Sequence, residues 1–209
     1  ALTGGRGKKE GNLTLNRATD ATRQPGSTFK VLSSFAPAID TGIATLATGY
    51  DDAPYNYTTG RPVKNWYNGY RGMQTIRTAI KNSMNIIAVK CITDLTPQVG
   101  YDYLIDLGFT TLVEQETNAD GSIVSDINQP LALGGLTNGV TNMEITAAFA
   151  SLANSGAYNK PILYTKVLDH DGNILIDNTP EPKQVFKPTT AWLINDAMQD
   201  VVTSGTGSA

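Results

Sequence analysis

The chain has 209 residues, 40% of them hydrophobic, with 16 Lys and Arg against 19 Asp and Glu for a net charge of -3. That length gives room for one sizeable domain with its own core, and charge this balanced, with no long run of one sign, excludes nucleic acid as the main partner. One cysteine excludes an internal disulfide, one histidine excludes a metal site built on clustered His or Cys, and no segment approaches 18 consecutive apolar residues.

No signal-peptide pattern opens the chain. "ALTGGRG" reads as the end of a strand already under way, and Arg6, Lys8 and Lys9 as a solvated basic loop. A polar loop runs to Pro25. A helix is expected from Ser27, because Phe29, Leu32, Phe35 and Ala36 recur at helical spacing; Pro37 should kink it and Gly42 end it near Thr41. Residues 48 to 72, "TGYDDAPYNYTTGRPVKNWYNGYRG", form a long irregular excursion of a length that is often functional.

Helices resume at "TIRTAIKN" and "IIAVKCITDL", interrupted by Ser83, Met84 and Asn85. Cys91, in the second apolar run, reads as a buried structural thiol. Thr96 and Pro97 should cap a helix that runs to Gly108. Thr141 and Glu144 stand in capping-box spacing before an apolar helix stopped by Gly156. "KVLDHDGNILID" reads as a hairpin with His170 at its tip, a surface position unsuited to a buried general base. Thr189 begins a last helix, and the chain ends in "TSGTGSA". No repeat or low-complexity linker divides it. The result is one domain of mixed α+β class, a helical middle bracketed by strand-like ends.

Chemistry concentrates in two places. Ser27 follows the breakers Pro25 and Gly26, so it falls in the first turn of its helix, where free N–H groups and the positive end of the dipole favour developing negative charge. Lys30, three residues on, shares its face, and the ammonium is expected to come back to the Ser27 hydroxyl. A lysine in a partly desolvated cleft can have its pKa lowered enough to take the serine proton. The same spacing also fits a plain N-cap followed by a solvated lysine. Ser83 and Asn85 lie two apart in the break between helices, where alternate residues can point the same way; there too a capped helix start is the other reading.

Ser27-Thr28-Phe29-Lys30 followed by Ser83-Met84-Asn85 resembles the first two of three signatures of the penicillin-binding protein and serine β-lactamase superfamily. "NRATDATRQPGSTFK", "NWYNGY" and "ALGGLTNGVTNMEITAAFASLANSG" are similar, in the same order, to the transpeptidase domain of bifunctional, class A members, so the likeness covers nearly the whole chain. It implies a D,D-transpeptidase-like fold with a helical subdomain and part of an antiparallel sheet, and a D,D-transpeptidase that cross-links peptidoglycan stem peptides ending in D-Ala-D-Ala. By this resemblance Ser27 is the nucleophile, Lys30 activates it, Ser83 relays protons to the leaving group and Asn85 hydrogen-bonds the substrate backbone. β-Lactams would acylate Ser27, no cofactor or metal is needed, and the location is the extracytoplasmic face of a bacterial membrane, with the full-length protein anchored there. A non-catalytic penicillin-binding sensor or scaffold is the alternative; a serine β-lactamase is disfavoured because no Glu stands in a segment resembling the deacylating loop.

The third signature, Lys-Thr-Gly, is absent from the 209 residues. The expectation is a partial domain, residues 1 to 209, that stops just short of that strand. Such a piece would be weakly active alone, since loss of one oxyanion donor costs roughly a hundredfold, and it could self-associate through an exposed sheet edge.

Overall fold

The computed structural model describes residues 8, 11 and 14–208. The expected opening strand, and all of the basic loop except Lys8, lie outside the described residues. In chain order the elements begin with β1 (Thr22–Arg23), a single 3-10 turn over Gly26–Thr28, a π-helical turn over Val31–Phe35 and α1 (Ala36–Asp40). Next come β2 (Gly49–Asp52), β3 (Gly72–Thr75), α2 (Ile76–Lys81), α3 (Asn85–Leu95) and α4 (Pro97–Asp106). After β4 (Glu116–Thr117) and β5 (Ile123–Val124) a 3-10 segment spans Gln129–Leu133, followed by β6 (Val140–Thr141), α5 (Asn142–Ala153) and β7 (Ala157–Tyr158). The chain closes with β8 (Lys166–Leu168), β9 (Ile174–Asp177), β10 (Lys183–Gln184) and α6 (Pro188–Ser204).

The helix expected from Ser27 is not regular. Pro37 has no N–H to give to the turn before it, and the backbone answers by widening ahead of the proline: the Ala36 N–H donates to the Val31 carbonyl, five residues back. The apolar periodicity survives this change. Phe29, Leu32, Phe35 and Ala36 are all fully buried and form the axis of the core. Around that axis pack α3, through Ile86, Ile87 and Ile92, and α4, through Leu104. Each such side chain contributes about 1.5–3 kcal/mol by leaving water. Buried serines are satisfied by backbone: Ser33 Oγ donates to the Phe29 and Leu131 carbonyls at 2.8 and 3.2 Å, and Ser34 Oγ to the Ala88 carbonyl at 2.9 Å. α4 comes so close that a Cβ on Gly100 would sit 2.4 Å from the Ser33 carbonyl oxygen.

Every strand pairing is antiparallel, as expected, but among the described residues the strands form five separate two-stranded ribbons: β1 with β6, β2 with β3, β4 with β5, β7 with β10 and β8 with β9. The excursion of residues 48 to 72 is therefore framed by strands, β2 and β3, and only its interior is irregular. Thr96 precedes α4 but makes no side-chain cap; its φ of +78° turns the backbone there. The last helix begins one residue earlier than expected, with Pro188 in its first turn. His170 sits at the tip of the β8–β9 hairpin, 89% exposed at its side chain, and Cys91 is buried, both as read from the sequence.

The capping box is complete, and Glu144 does more than cap. Its Oε2 accepts from the Thr141 N–H and hydroxyl, while its Oε1 accepts from the N–H and hydroxyl of Thr110, each at 2.8–2.9 Å. Burial alone would raise this carboxyl, but those four donors outweigh it and hold its pKa below the ordinary value. The stabilisation is therefore present at neutral pH and is lost as pH falls through the lowered folded value. Glu144→Ala should cost about 3 kcal/mol in urea unfolding at pH 7, by unsatisfying Thr110 and the α5 N-terminus together.

Candidate active site

Ser27 is placed by contacts far along the chain. Gln24 forms a reciprocal pair with the Leu136 backbone, Nε2 donating to its carbonyl at 2.7 Å and Oε1 accepting from its N–H at 2.8 Å. Gly26, at φ +59°, lies directly against Gly134, at φ +67°; a Cβ on Gly134 would stand 2.5 Å from the Gly26 carbonyl oxygen. Only glycine permits both the backbone angle and the approach at Gly134. Thr28 Oγ1 closes the turn onto the Pro25 carbonyl at 2.8 Å. Ser27 is left exposed at the apex, and among the described residues its hydroxyl makes no hydrogen bond.

Lys30 is 2% exposed. Its Nζ does not come back to Ser27 as expected: it crosses to the break between α2 and α3 and donates to the Ser83 carbonyl at 2.7 Å and to Ser83 Oγ at 2.8 Å. Ser83 adopts the left-handed conformation, φ +51°, which is uncommon for a residue with a side chain. Both partners of the amine are neutral, so nothing offsets the loss of water, and burial brings the Lys30 pKa from 10.5 down to about 7. A lysine in that range holds a large neutral fraction at physiological pH and can accept a proton. The other candidates for that task are unsuited: His170 is on the surface and burial pushes the Cys91 thiol up to about 11.

Ser27 and Ser83 face one cleft of about 380 Å³, together with Trp66 and Thr206. A larger concavity, about 770 Å³ between α5 and the segment 159–163, has no charged side chain among its described lining residues and so no base beside its threonines there. The small cleft is the one that gathers two of the residues singled out in the sequence, Ser27 and Ser83. Asn85, two residues after Ser83 at the start of α3, is not among the residues lining that cleft; it is half-buried, its Nδ2 donating to the Lys64 carbonyl at 2.7 Å. Thus Ser27 and Lys30 are linked through Ser83, by the shared cleft and by the hydrogen bond, while Asn85 is tied to Lys64 and Asn65 of the irregular excursion. Among the described residues no His, Cys, Asp and Glu group could hold a metal ion.

Trp66 and Thr206 escaped the sequence reading. Trp66 is 62% exposed and its indole N–H donates to the Asn82 carbonyl at 2.8 Å. Thr206 arrives on the turn after α6: its N–H donates to the Lys81 carbonyl at 3.2 Å, and a Cβ on Gly205 would lie 2.3 Å from that same oxygen. The signals were the aromatic richness of "NWYNGY" and the paired glycines of "SGTGS", neither of which names a contact.

The lysine gives a pH test of its own. Between its folded value near 7 and its ordinary 10.5, the folded chain binds fewer protons at Lys30 than the unfolded chain, so stability rises with pH across that window and is flat below it. The stability of the wild type relative to Lys30→Met, read from urea unfolding at a series of pH values, should increase over this range.

The chain matches the family described as "Penicillin binding protein transpeptidase domain" over residues 4–209. It is 33% identical over 214 residues to Penicillin-binding protein 1A of Clostridium tetani (strain Massachusetts / E88), an alignment covering 99% of this chain and 27% of that protein. It is 34% identical over 207 residues to Penicillin-binding protein 4 of Bacillus subtilis (strain 168), covering 99% and 31%. The chain therefore spans about a quarter to a third of these curated relatives. The solved D,D-transpeptidase domain of a peptidoglycan glycosyltransferase from Eggerthella lenta superposes with a TM-score of 0.72 at 21% identity, covering 93% of this chain and 52% of that one, and the two share the fold. By its match over nearly its whole length, this chain belongs to the penicillin-binding protein transpeptidase domain family.

Proposed function

We propose that this chain forms the nucleophile side of a peptidoglycan D,D-transpeptidase active site. The observation that carries the reading is the buried Lys30 amine, near neutrality in its pKa, bound to Ser83 at the edge of the cleft that Ser27 enters. Ser27 Oγ attacks the carbonyl of the penultimate D-Ala of a stem peptide, and its proton passes by way of the Ser83 hydroxyl, which shares the cleft, to the Lys30 amine bonded to it. The negative charge that develops on the carbonyl oxygen is favoured by the backbone N–H groups of the first turn. The carbon–nitrogen bond then breaks, and Ser83, between Lys30 and the cleft, hands the proton to the departing D-Ala nitrogen. An amine of a neighbouring stem peptide then attacks the ester and gives up a proton, the carbon–oxygen bond to Ser27 breaks, and the serine oxygen takes a proton back, which completes the cross-link and restores the hydroxyl. Asn85, whose amide donor is engaged by Lys64, presents its carbonyl oxygen as acceptor for a substrate backbone N–H.

A β-lactam would acylate Ser27 by the same first step, its strained amide carbon–nitrogen bond opening. The wider setting follows the same reading: stem peptides ending in D-Ala-D-Ala as partners, no nucleic acid, and the extracytoplasmic face of a membrane as the location, with an anchor in the full-length protein. Among the described residues no helix is long and apolar enough to cross a membrane. A Lys-Thr-Gly strand is the remaining wall of such a cleft by family resemblance, and that triplet does not occur in the 209 residues. We infer slow acylation of the chain by itself, roughly a hundredfold or more below a cleft completed by that strand, and self-association through an exposed sheet edge, which size-exclusion chromatography with light scattering would detect.

Labelling by a fluorescent penicillin should be measurable on long incubation, abolished in Ser27→Ala, and about 10²–10⁴-fold slower in Lys30→Ala. The labelling rate should rise with pH through about 7, as Lys30 loses its proton, and level off above it. Equal labelling of the Ser27→Ala protein would rule out the assignment. Covalent labelling with no D-Ala released from a D-Ala-D-Ala peptide, in a chain completed through Lys-Thr-Gly, would favour a penicillin-binding sensor instead.

A further inference from the structure

Helix α3 starts at the functional turn, yet its N-cap residue, Met84, provides no side-chain cap. The missing acceptor comes from elsewhere. Asn65, twenty residues upstream in the irregular excursion, accepts on Oδ1 from the N–H groups of Asn85 at 2.9 Å and Ile86 at 3.3 Å. It caps the helix in trans, satisfying two donors that would otherwise be orphaned. The other end of the same amide is fixed as well: Nδ2 donates to Oδ1 of Asp52 at 2.7 Å.

Asp52 is fully buried at the end of β2, and its second oxygen accepts from the Tyr67 hydroxyl at 2.7 Å and the Arg71 N–H at 2.9 Å. A buried carboxylate with three donors is a rigid anchor, costly to disturb because each partner would be stranded. The neighbours of Asn65 grip the same turn. The Lys64 carbonyl accepts from Asn85 Nδ2 and the Trp66 indole donates to the Asn82 carbonyl. Three consecutive residues of the excursion thus hold both sides of Ser83, the residue in the left-handed conformation that receives Lys30. Strained backbone persists where its surroundings over-determine it.

We infer that Asn65, anchored by Asp52, is a positioning residue that holds the Ser83–Asn85 turn in the geometry needed for acyl transfer. Among the described residues its hydrogen bonds go to Asp52, Asn85 and Ile86, not to Ser27 or Lys30, and it acts through the turn. The inference rests on the acyl-transfer reading for its kinetic test and on geometry alone for its second test.

The kinetic test uses the full chain and a fluorescent penicillin, at a temperature where circular dichroism shows each variant folded. Asn65→Ala should lower the first-order acylation rate constant about 10²-fold, the usual penalty for a small misplacement, with a smaller rise in the pre-acylation dissociation constant, since Asn85 stands on the same turn. Asn65→Asp sets two carboxylates against each other and Asp52→Asn sets two amides against each other, so each should also be slow. In the double variant Asp52→Asn/Asn65→Asp the donor and acceptor exchange places: the amide at 52 can still accept from Tyr67 and Arg71, and the carboxylate at 65 still caps α3. The double variant should recover most of the wild-type rate. Should Asn65→Ala not fold, Asn65→Asp against the double variant makes the same comparison.

A wild-type rate in folded Asn65→Ala, or a folded double variant no faster than the singles, would overturn the inference. Failure of the wild type to label, or labelling independent of Ser27, would instead sink the acyl-transfer reading. In that case the Lys30 titration, followed by the ¹³Cε resonance, decides the positioning role. It should move upward from the wild-type value in Asn65→Ala, as the turn loosens and water reaches the amine, and return in the double variant; a titration unmoved by Asn65→Ala overturns the inference.

Discussion

A buried amine bonded across two helical segments is the contact on which this structure turns. Lys30 leaves the central helix and ends on the carbonyl and hydroxyl of Ser83, 53 residues later, with no carboxylate among its hydrogen-bond partners. A charged ammonium there would lose its hydration without an opposite charge in return, so the site favours the neutral amine. One contact therefore ties the central helix to the break between α2 and α3, and the burial around it lowers the proton affinity of the amine. Two irregular features of the backbone lie near that contact. Ser83 turns left-handed to aim its carbonyl and hydroxyl at one nitrogen, and the widened turn ahead of Pro37 lets the central helix continue under a proline.

Ser27, the proposed nucleophile, is placed by a different set of constraints. Ser27 lies on an exposed apex, and its position is inherited from backbone packing: Gly26 on Gly134, and Gln24 on Leu136. Its helix is anchored from below by Phe29, Leu32 and Phe35. The site thus follows a general logic in which reactive groups stand on loops and turns held by a rigid core. The excursion between β2 and β3 supplies the third support, with Asp52 buried at its root and Asn65 reaching to the start of α3.

Much of this was legible in the residues. Apolar spacing located the central helix, and the Thr141–Glu144 pair located the start of α5, because both signals act within one or two turns of chain. The Asp-Gly turn located the hairpin that carries His170. The reading failed where a local rule met a tertiary demand. Thr96 looked like a capping residue, but a backbone turn with positive φ between α3 and α4 removes its side chain from that role. Short ribbons such as β1 with β6 and β7 with β10 join segments over a hundred residues apart or of only two residues each, too little pattern for alternation to reveal. Lys30 was expected to return to Ser27 on the strength of helical spacing, and it was drawn instead to a carbonyl and a hydroxyl beyond its own helix.

By itself, then, the sequence determined which side chains could do chemistry: a serine after Pro-Gly, a lysine one turn on, a Ser-x-Asn break between helices, and no histidine placed to assist. Those are properties of short range, fixed by residue type and spacing. Only the tertiary structure decided that Ser27 and Ser83 share a cleft, that Lys30 is bound to the second of them, and that Trp66, Thr206 and Asn65 belong to the same site. The physical reason is that desolvation and close approach depend on what packs from the rest of the chain. The proton affinity of Lys30 is set by burial under neighbours distant in sequence, which no spacing of letters encodes.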